Sequence, residues 1–330
     1  MFLDKKFEVT VIGSATKDVF LDITNKPIKL DGFTTGEAIC FGLASKVAID
    51  KMTFTSGGGG GNMAVTFARQ GIKTACIASI ADDFNGKEIV EELKSEGVNT
   101  DFFQHHNDSH TAYSCILVSE GGERTILSYK GEGQHFDVKN INFKDLKTDW
   151  LVLNNLGGHF DLLETAVNWA IANNVKLAMN PGNKELEHGI DKLKPLLKKF
   201  SIIIMNQEEA ANLTGISYTD EKAIFKFMDE AVDGIFVMTK GPGGVSASDG
   251  KNIYSAGVPD SPVIERTGAG DAFCSGFVTE FIRSGDISKA IQFGTANASS
   301  VVMYYGGKEG ILKKNGPGKW PLVEVSIMNI

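Results

Sequence analysis

The chain has 330 residues, of which 42% are apolar and 22% charged, and its formal net charge is −8. The composition is that of an ordinary globular protein, and a net-acidic chain without a basic block argues against nucleic-acid binding. Cysteines at positions 40, 76, 115 and 274 form no CxxC pair, so we expect reduced thiols. We find no signal-peptide pattern and no apolar run of about 18 residues, and we therefore expect a cytoplasmic protein that makes no contact with a membrane.

Short apolar runs alternate with amphipathic segments along the chain. The runs are β-branched and bounded by Gly, Asn or Asp, as buried strands are; they cover residues 7–13, 73–79, 149–155, 175–180, 201–206 and 234–240. The amphipathic segments predict helices over residues 62–70, 86–95, 162–172, 208–213 and 221–232. This alternation predicts an α/β fold with a mainly parallel central sheet and helices on both faces.

Two stretches interrupt the alternation. Residues 18–50 contain the strand-like runs DVFLDI, EAICFGL and KVAID without a helix among them, and residues 111–129 predict a β-hairpin around the turn Glu120–Glu123. We expect these strands to be inserted into the core and to form a small separate sheet. Because no linker divides the chain, residues 1–330 are predicted to be a single domain with a lid.

The stretch TGAGDAFCSGF (267–277) places an aspartate directly after two glycines, where a helix is predicted to begin. A helix start offers unpaired N–H groups and a positive dipole end to an anion, and small residues let that anion approach the backbone. A carboxylate at Asp271 makes chemical sense there if it accepts a proton from a hydroxyl that attacks a bound phosphate. The plainer alternative is that Asp271 only caps the helix.

Three further segments have the character of ligand sites. Residues 56–71 (SGGGGGNMAVTFARQG) run five glycines into a helix, which favours close backbone approach to a ligand over a flexible linker. Asn206 and Glu209 follow a buried strand and share a helix face; they suit Mg²⁺ held through water, and equally a capping box. The turn TKGPGG (239–244) either lines a nucleotide or is merely a hairpin loop.

Together these segments resemble the PfkB/ribokinase family of carbohydrate kinases over nearly the whole chain. The glycine-rich segment that ends in Asn62, followed by DDFNG, is similar to the family's N-terminal signature, and TGAGDAFCSGF is similar to its more specific C-terminal signature. NQEE (206–209) resembles its N-x-x-E magnesium motif, and TKGPGG its nucleotide-binding turn. The resemblance implies a ribokinase-like three-layer sandwich with a small β-sheet lid, and ATP and Mg²⁺ as cofactors.

The resemblance also implies roles for individual residues. Asp271 would be the catalytic base, and Gly268, Ala269 and Gly270 would offer N–H groups to the transferring phosphate. The other implied contacts are Asp18, Gly57, Gly58 and Asn62 for the sugar, Thr239, Gly241, Gly244 and Asn297 for the nucleotide, and Asn206 and Glu209 for the metal.

The chain departs from the family pattern at three positions. Ala81 and Glu265 stand where members usually have Gly and Asp, and Glu265 lies near a monovalent-cation site in many members, which puts activation by potassium in question. Gly59 replaces a lysine of ribokinases proper, which weakens an assignment to ribose and leaves more room.

The sequence therefore predicts an ATP-dependent kinase that transfers the γ-phosphate to a hydroxymethyl group of a small sugar. The alternatives are a nucleoside kinase of the same family and a kinase-fold binding protein without turnover; a dehydrogenase is a weaker competitor. An exposed edge of the lid sheet would suit a homodimer.

Two charged stretches are left open by the sequence. Arg124 and Lys130 either meet an anionic substrate group or are ordinary solvated charges, and the second interpretation is favoured. Residues 105–110 (HHNDSH) have metal-ligand residue types without a recognised spacing, which favours a solvated loop.

Overall fold

The computed structural model describes residues 6–23, 25–32, 36–107, 109–119, 124–316 and 318–329. The strands are β1 Phe7–Gly13, β2 Thr16–Ile23, β3 Ile28–Lys29, β4 Glu37–Ala38, β5 Ile49–Gly57, β6 Thr74–Ile77, β7 Ser79–Ala81, β8 Gln104–His106, β9 Tyr113–Val118, β10 Arg124–Tyr129, β11 Thr148–Asn154, β12 Lys176–Asn180, β13 Ile202–Asn206, β14 Ile235–Thr239, β15 Val245–Ser248, β16 Asn252–Ala256 and β17 Ser326–Asn329. The α-helices are α1 Gly59–Arg69, α2 Phe84–Ser95, α3 Phe160–Ala172, α4 Asn183–Leu186, α5 Ile190–Leu197, α6 Gln207–Thr214, α7 Glu221–Ala231, α8 Ala269–Ser284 and α9 Ile287–Val301.

The central sheet has the strand order β17-β16-β15-β14-β13-β12-β11-β1-β6. The strands from β6 to β14 in this order are parallel, and β15, β16 and β17 add an antiparallel edge. Parallel strands are joined by crossover connections, and the helices in these connections cover the two faces of the sheet. The predicted alternation of strands and helices supplies such connections. The predicted mainly parallel α/β architecture is confirmed.

Two apolar clusters cover the two faces of this sheet. Along β13, Ile203 and Met205 belong to one cluster, whereas Ile202 and Ile204 belong to the other. Successive side chains of a strand point to opposite faces, so the continuous run IIIM packs against helices on both sides. Helices α3, α5, α6 and α7 contribute to the first cluster, and α1, α2, α8 and α9 to the second.

The strands that interrupt the alternation form the predicted separate sheet, here called the small sheet, with the order β10-β9-β2-β5. Strands β9 and β10 pair as an antiparallel hairpin, and the predicted turn Glu120–Glu123 lies outside the described residues. Strand β5 continues to Gly57, directly into the glycine-rich segment.

Two predicted strands differ from the structure. Residues 73–79 form not one strand but two, because β6 pairs with β1 in the central sheet whereas β7 pairs with β8 elsewhere. Of EAICFGL only Glu37–Ala38 is a strand, paired with Ile28–Lys29. The apolar run alone does not decide pairing, which depends on the neighbouring strands.

All four cysteines are free thiols, and Cys76 and Cys274 are buried. Within the ranges that the structure describes, no helix combines the length and the apolar character needed to cross a membrane.

Arg69, at the end of α1, holds the loop that follows α9 against the core. Its guanidinium forms a bidentate ion pair with Glu96, with N–O distances of 2.8 and 2.7 Å, and donates to the carbonyl oxygen of Lys308 at 2.6 Å. The bonds to Glu96 raise the pKa of Arg69 and lower that of Glu96. This loop carries Gly307, which lies against Asn62, so the anchor also shapes the candidate site.

We expect Arg69→Met to lower the free energy of unfolding by about 2–4 kcal/mol, because it leaves Glu96 and the Lys308 carbonyl without their donor. Urea denaturation would measure the change. Lys6→Met is the matched control, since its ion pair with Asp149 is largely exposed and should contribute almost nothing. Equal losses in the two variants would contradict the anchoring role.

Candidate active site

Four neighbouring parallel strands end in polar residues at the same edge of the central sheet. Asn154, Asn180, Asn206 and Thr239 are the last residues of β11, β12, β13 and β14, and we call them the polar row. Asn154 pairs with Asn180, and Asn206 pairs with Thr239. The carboxyl edge of an open parallel sheet is where ligands of such folds bind.

Asp271 lies at the start of α8 and is held by two amide groups. Asn62 of α1 donates to one carboxylate oxygen at 2.9 Å, and Asn154 donates to the other at 3.1 Å. The Asn154 amide nitrogen also donates to the amide oxygen of Asn180 at 3.2 Å. The amide nitrogen of Asn180 donates in turn to the carbonyl oxygen of Ile204 at 2.9 Å. Residues far apart in sequence thus fix one carboxylate.

The environment of Asp271 favours a base. Burial raises the pKa of its carboxyl group, and the hydrogen bonds from Asn62 and Asn154 act in the opposite direction without cancelling the rise. A carboxylate with a raised pKa accepts a proton more readily than an exposed one. The alternative that Asp271 caps the helix is wrong, because Gly268 is the N-cap residue and the Asp271 carboxylate bonds to amides of other elements.

The start of α8 opens into a cavity of about 610 Å³. Ala269 and Gly270 line the cavity, and no side chain in the described part of the chain caps the first N–H groups of α8. Gly268 has φ of 77°, a conformation that favours glycine, and a Cβ there would overlap the backbone of Gly307. The cavity therefore meets an uncapped helix N-terminus, which attracts anions.

The remaining cavity wall is mostly apolar, as a slot for a purine base would be. The TKGPGG turn joins the antiparallel strands β14 and β15, as the hairpin alternative predicted, and residues of the turn also line the cavity. The wall contains Thr239, Gly241, Pro242, Gly244, Val245, Val258, Pro259, Asp260, Ser261, Val263, Arg266, Phe273, Thr295, Ala298, Ser299 and Val302.

Asn297 does not line this cavity, in contrast to its implied nucleotide contact. Its side chain is completely buried; it donates to the carbonyl oxygen of Ala272 at 2.8 Å and accepts from the Leu312 amide at 2.9 Å. Its neighbours Thr295, Ala298 and Ser299 face the cavity instead. Because α9 turns by about 100° per residue, a motif of adjacent residues does not reveal which one reaches the ligand.

Asn206 and Glu209 form a reciprocal capping box at the start of α6. The Asn206 side chain accepts from the Glu209 amide at 2.8 Å, and the Glu209 carboxylate accepts from the Asn206 amide at 2.8 Å. Burial raises the pKa of Glu209, partly offset by the bond from the Asn206 amide. Asn206 pairs with Thr239 of the cavity wall, although neither Asn206 nor Glu209 belongs to the described lining of the cavity.

On the other side of Asp271, Asp18 and Gly57 meet in the small sheet. Asp18 is 5% exposed, and a Cβ at Gly57 would overlap its carboxylate. Burial raises the pKa of Asp18 to about 6, although a hydrogen bond with Ser114 and the charge of Lys308 act to lower it. Gly57 is therefore required for close approach to this carboxylate.

The glycine-rich segment is part of the folded core, so the linker alternative is wrong. Helix α1 begins at Gly59, and a Cβ at Gly59 would overlap the side-chain amide of Asn154. Gly58, with φ of 85°, packs on the backbone of Ser14 and Ala15. Ribokinases proper carry a lysine at position 59. Here the Asn154 amide occupies the space that a side chain at this position would need.

Asn62 has an unused acceptor. Its amide nitrogen donates to Asp271, whereas its side-chain oxygen is buried and has no hydrogen-bond partner within the described residues. A buried acceptor without a donor is costly. A hydroxyl group of a bound molecule would satisfy it, next to the carboxylate of Asp271.

The Arg124 side chain has a partner within the protein. Its guanidinium pairs with Glu265 at 3.1 Å, where Glu265 is 1% exposed and precedes the Gly268 turn by three residues. The small sheet is thereby tied to the start of α8. Lys130 is exposed, but its charge acts to lower the pKa of Asp18.

Two site residues, Asn154 and Asn180, were missed by the sequence analysis. The signal for them was present: each asparagine ends a buried strand, in DWLVLNN and in VKLAMN, as Asn206 does in SIIIMN. Only the parallel pairing of these strands turns three separate asparagines into one row.

Comparison with known proteins assigns the chain to a class of phosphotransferases. The family model described as "pfkB family carbohydrate kinase" matches residues 16–314 of this chain. The ribokinase of Haemophilus influenzae is 29% identical over 262 residues, which cover 77% of this chain and 83% of that protein. This chain belongs to the pfkB family of carbohydrate kinases, which are phosphotransferases acting on sugar hydroxyl groups.

Two solved structures share the fold. The adenosine kinase from Sinorhizobium meliloti has a TM-score of 0.75 at 21% identity, with 92% of this chain and 96% of that one covered. The Arabidopsis thaliana ribokinase complexed with ribose and ATP has a TM-score of 0.72 at 19% identity, with 95% and 98% covered. The ribokinase-like three-layer architecture is therefore confirmed, and one fold serves kinases with different acceptors.

We expect Asp18→Asn to stabilise the protein at neutral pH. A folded-state pKa of about 6 against an ordinary 3.8 means that the carboxyl group favours folding below pH 4 and that this contribution is lost as pH rises through 6. The substitution removes that loss, roughly 3 kcal/mol at pH 7.5 and almost nothing at pH 4. Urea denaturation at both pH values would measure it.

Asp249→Asn is a control of opposite sign. Although burial acts to raise the pKa of Asp249, hydrogen bonds from the Asn252 and Lys251 amides hold it below its ordinary value. This variant should lose stability at neutral pH. A stabilisation of Asp18→Asn that is independent of pH would show that the charge of Asp18 is not the cause.

Proposed function

We propose that the protein transfers the γ-phosphate of ATP to a hydroxymethyl group of a small sugar, with Asp271 as the general base. The observation that carries this proposal is the carboxylate of Asp271, fixed by two amides at the start of an uncapped helix that opens into the cavity. A proton acceptor beside an anion site is the arrangement that phosphoryl transfer to an alcohol needs.

The acceptor lies on the Asp18 side of Asp271 in this proposal. Asp18 accepts hydrogen bonds from two sugar hydroxyls, Gly57 and Gly58 allow the sugar to approach, and the free oxygen of Asn62 accepts another hydroxyl. The Asp271 carboxylate removes the proton of the reacting hydroxyl. The protein packs closely around Gly57 and Gly59. This packing supports a small polar acceptor, which could bind without moving these residues.

The nucleotide lies in the cavity, with its base against the apolar wall and its phosphates towards the start of α8. The N–H groups of Gly268, Ala269 and Gly270 stabilise the charge that develops on the transferring phosphate. Thr239, Gly241 and Gly244 contact the nucleotide from the hairpin turn. Asn297 supports this wall from behind through its bond to Ala272.

Asn206 and Glu209 have the ligand chemistry for Mg²⁺. An amide oxygen and a half-buried carboxylate beside the cavity suit a hard cation that keeps most of its water. Bound there, Mg²⁺ would neutralise charge on the phosphates. The capping box orients both side chains, so the two alternatives of the sequence analysis are compatible.

The small sheet serves as the lid in this proposal. It holds Asp18 and Gly57, and the Arg124–Glu265 pair connects it to the start of α8. Covering the acceptor would exclude water from the transfer. Met52, Phe54 and Leu127 expose more than half of their surface on its strands, which supports a homodimer formed through the lid.

A nucleoside kinase is the second candidate, because an adenosine kinase shares the fold and position 59 is a glycine rather than the lysine of ribokinases proper. The Asn154 amide fills the space beside Gly59, so this departure argues against ribose without opening room for a larger group. A panel of ribose, fructose, 2-keto-3-deoxygluconate, fructose 6-phosphate, adenosine, inosine and cytidine would separate the two candidates.

The resemblance leaves potassium activation in question, because Glu265 stands where family members usually have Asp. The guanidinium of Arg124 already places a positive charge 3.1 Å from Glu265. We therefore propose that turnover persists in potassium-free buffer. We also propose that the protein acts in the cytoplasm, whose reducing conditions suit its four free cysteines.

We expect Asp271→Asn to lower kcat by about 10²–10⁴-fold with the preferred acceptor, since it removes the proton acceptor and keeps the side-chain size. Coupled measurement of ADP formation tests this. Asp260→Asn is the control, because Asp260 lines the same cavity and should leave kcat nearly unchanged. Activity that survives in Asp271→Asn would refute the base, whereas ATP binding without any turnover in the wild type would favour the kinase-fold binding protein.

We expect Glu209→Gln to raise the Mg²⁺ concentration needed for half-maximal activity several-fold while kcat at saturating Mg²⁺ is largely retained. Glutamine preserves the capping box, so the effect isolates the carboxylate as a metal ligand. Glu208→Gln changes the adjacent exposed residue and should not shift the Mg²⁺ dependence. Identical Mg²⁺ titrations of Glu209→Gln and wild type would limit Glu209 to capping.

A further inference from the structure

Three side chains of metal-binding types converge beside β8, on residues that the proposed transfer does not use. His106 is the last residue of β8, Glu132 lies in the 3₁₀ turn Gly131–Gln134, and His135 follows that turn directly. Ligand atoms of the three residues lie within 4.8 Å of one another. The solvated loop favoured for residues 105–110 is therefore not what the structure shows at His106.

The carboxylate of Glu132 organises this group. It is 5% exposed, and one of its oxygens lies 2.7 Å from Nδ1 of His135 and 4.0 Å from Nδ1 of His106. The two imidazole rings stack, with centroids 4.8 Å apart and planes inclined by 16°. One buried carboxylate thus holds two imidazoles side by side.

His106 has a ring nitrogen that the protein does not use. Its Nε2 is buried and has no hydrogen-bond partner among the residues that the structure describes. Leaving such a group without a partner costs free energy that a bound ligand would recover. His106 therefore retains a ring nitrogen that a bound ligand could use.

We propose that His106, Glu132 and His135 bind one divalent transition-metal ion, with Zn²⁺ the best match. Two imidazoles and one carboxylate are the three protein ligands of an open tetrahedral zinc site, in which water takes the fourth position. Hard ions such as Mg²⁺ prefer oxygen ligands, which separates this site from the one at Asn206 and Glu209.

The group needs only a small adjustment to close around an ion. Ligand atoms of a tetrahedral zinc ion are about 3.3 Å apart, less than the present maximum of 4.8 Å. The side chains of His106 and Glu132 are largely buried, whereas the His135 side chain is 62% exposed and can turn once its contact with Glu132 is exchanged for one with the ion. The ion would tie β8 to the segment that returns from β10 of the small sheet.

The test is a titration of EDTA-treated, full-length protein with Zn²⁺ against a chromophoric chelator, and with Co²⁺ followed by visible absorption. We expect one ion per chain, tetrahedral Co²⁺ bands, and a higher melting temperature with Zn²⁺ because the ion binds only the folded state. His135→Ala and Glu132→Gln should each weaken binding by about tenfold or more. His135 is exposed, so its substitution tests the site without endangering the fold.

His105→Ala is the matched control. His105 precedes His106 in the same strand, points to the opposite face and pairs with Asp82 at 2.9 Å. Zinc binding should be unchanged in this variant. The proposal is overturned if no stoichiometric ion binds, if His135→Ala and Glu132→Gln bind as wild type does, or if His105→Ala removes the ion. Since none of these residues serves the proposed transfer, its failure would leave the kinase proposal untouched.

Discussion

The two hydrogen bonds that Asn62 and Asn154 donate to the Asp271 carboxylate are a geometric constraint to which the neighbouring parts of the site conform. In the proposed function Asp271 is a base beside bound phosphates, and such a base must be oriented without losing its basicity. A cation would orient the carboxylate but lower its pKa, and would also compete for the phosphates. Neutral amides also orient the carboxylate, but they lower its pKa less than a cation would. Burial keeps the pKa of Asp271 raised.

The close packing of the glycines follows from this constraint. The Asn154 amide occupies the space of a Cβ at Gly59, and Gly307 leaves room for the amide of Asn62. Helix α1 can therefore begin early enough to carry Asn62 to Asp271. Glycines within a helix cost stability, and here the cost is offset by the backbone contact of Gly60 with Gly13 of the central sheet.

Asp271 also divides the site into two chemically different sides. The cavity side is largely apolar and ends in helix N–H groups, whereas the other side has two charged groups near each other, Asp18 and the buried Lys308. Lys308 is held by Ser56 and by Glu92 at 2.7 Å. Burial lowers the pKa of Lys308, and the charges of Glu92 and Asp18 act against that. The charge of Lys308 thereby offsets part of the effect of burial on the pKa of Asp18.

The sequence by itself determined the α/β architecture, the parallel core and the two glycine-rich segments. Buried parallel strands must be short and apolar on both faces, and a helix start that accepts an anion must be made of small residues, so these features are local. It also identified Asp271, Asn62 and the polar ends of β13 and β14, because each stands in a motif a few residues long.

Only the tertiary structure decided which side chains meet. Asn154 and Asn180 end unremarkable strands, and it is the register of β11 and β12 that brings them to Asp271. Asn297 lies in the right segment but on the wrong face of α9, and Arg124 finds Glu265 across the chain. His106 meets Glu132 and His135 because β8 packs beside the end of the small sheet. Contacts of this kind depend on strand pairing and helix rotation, which act over the whole fold and leave no local pattern.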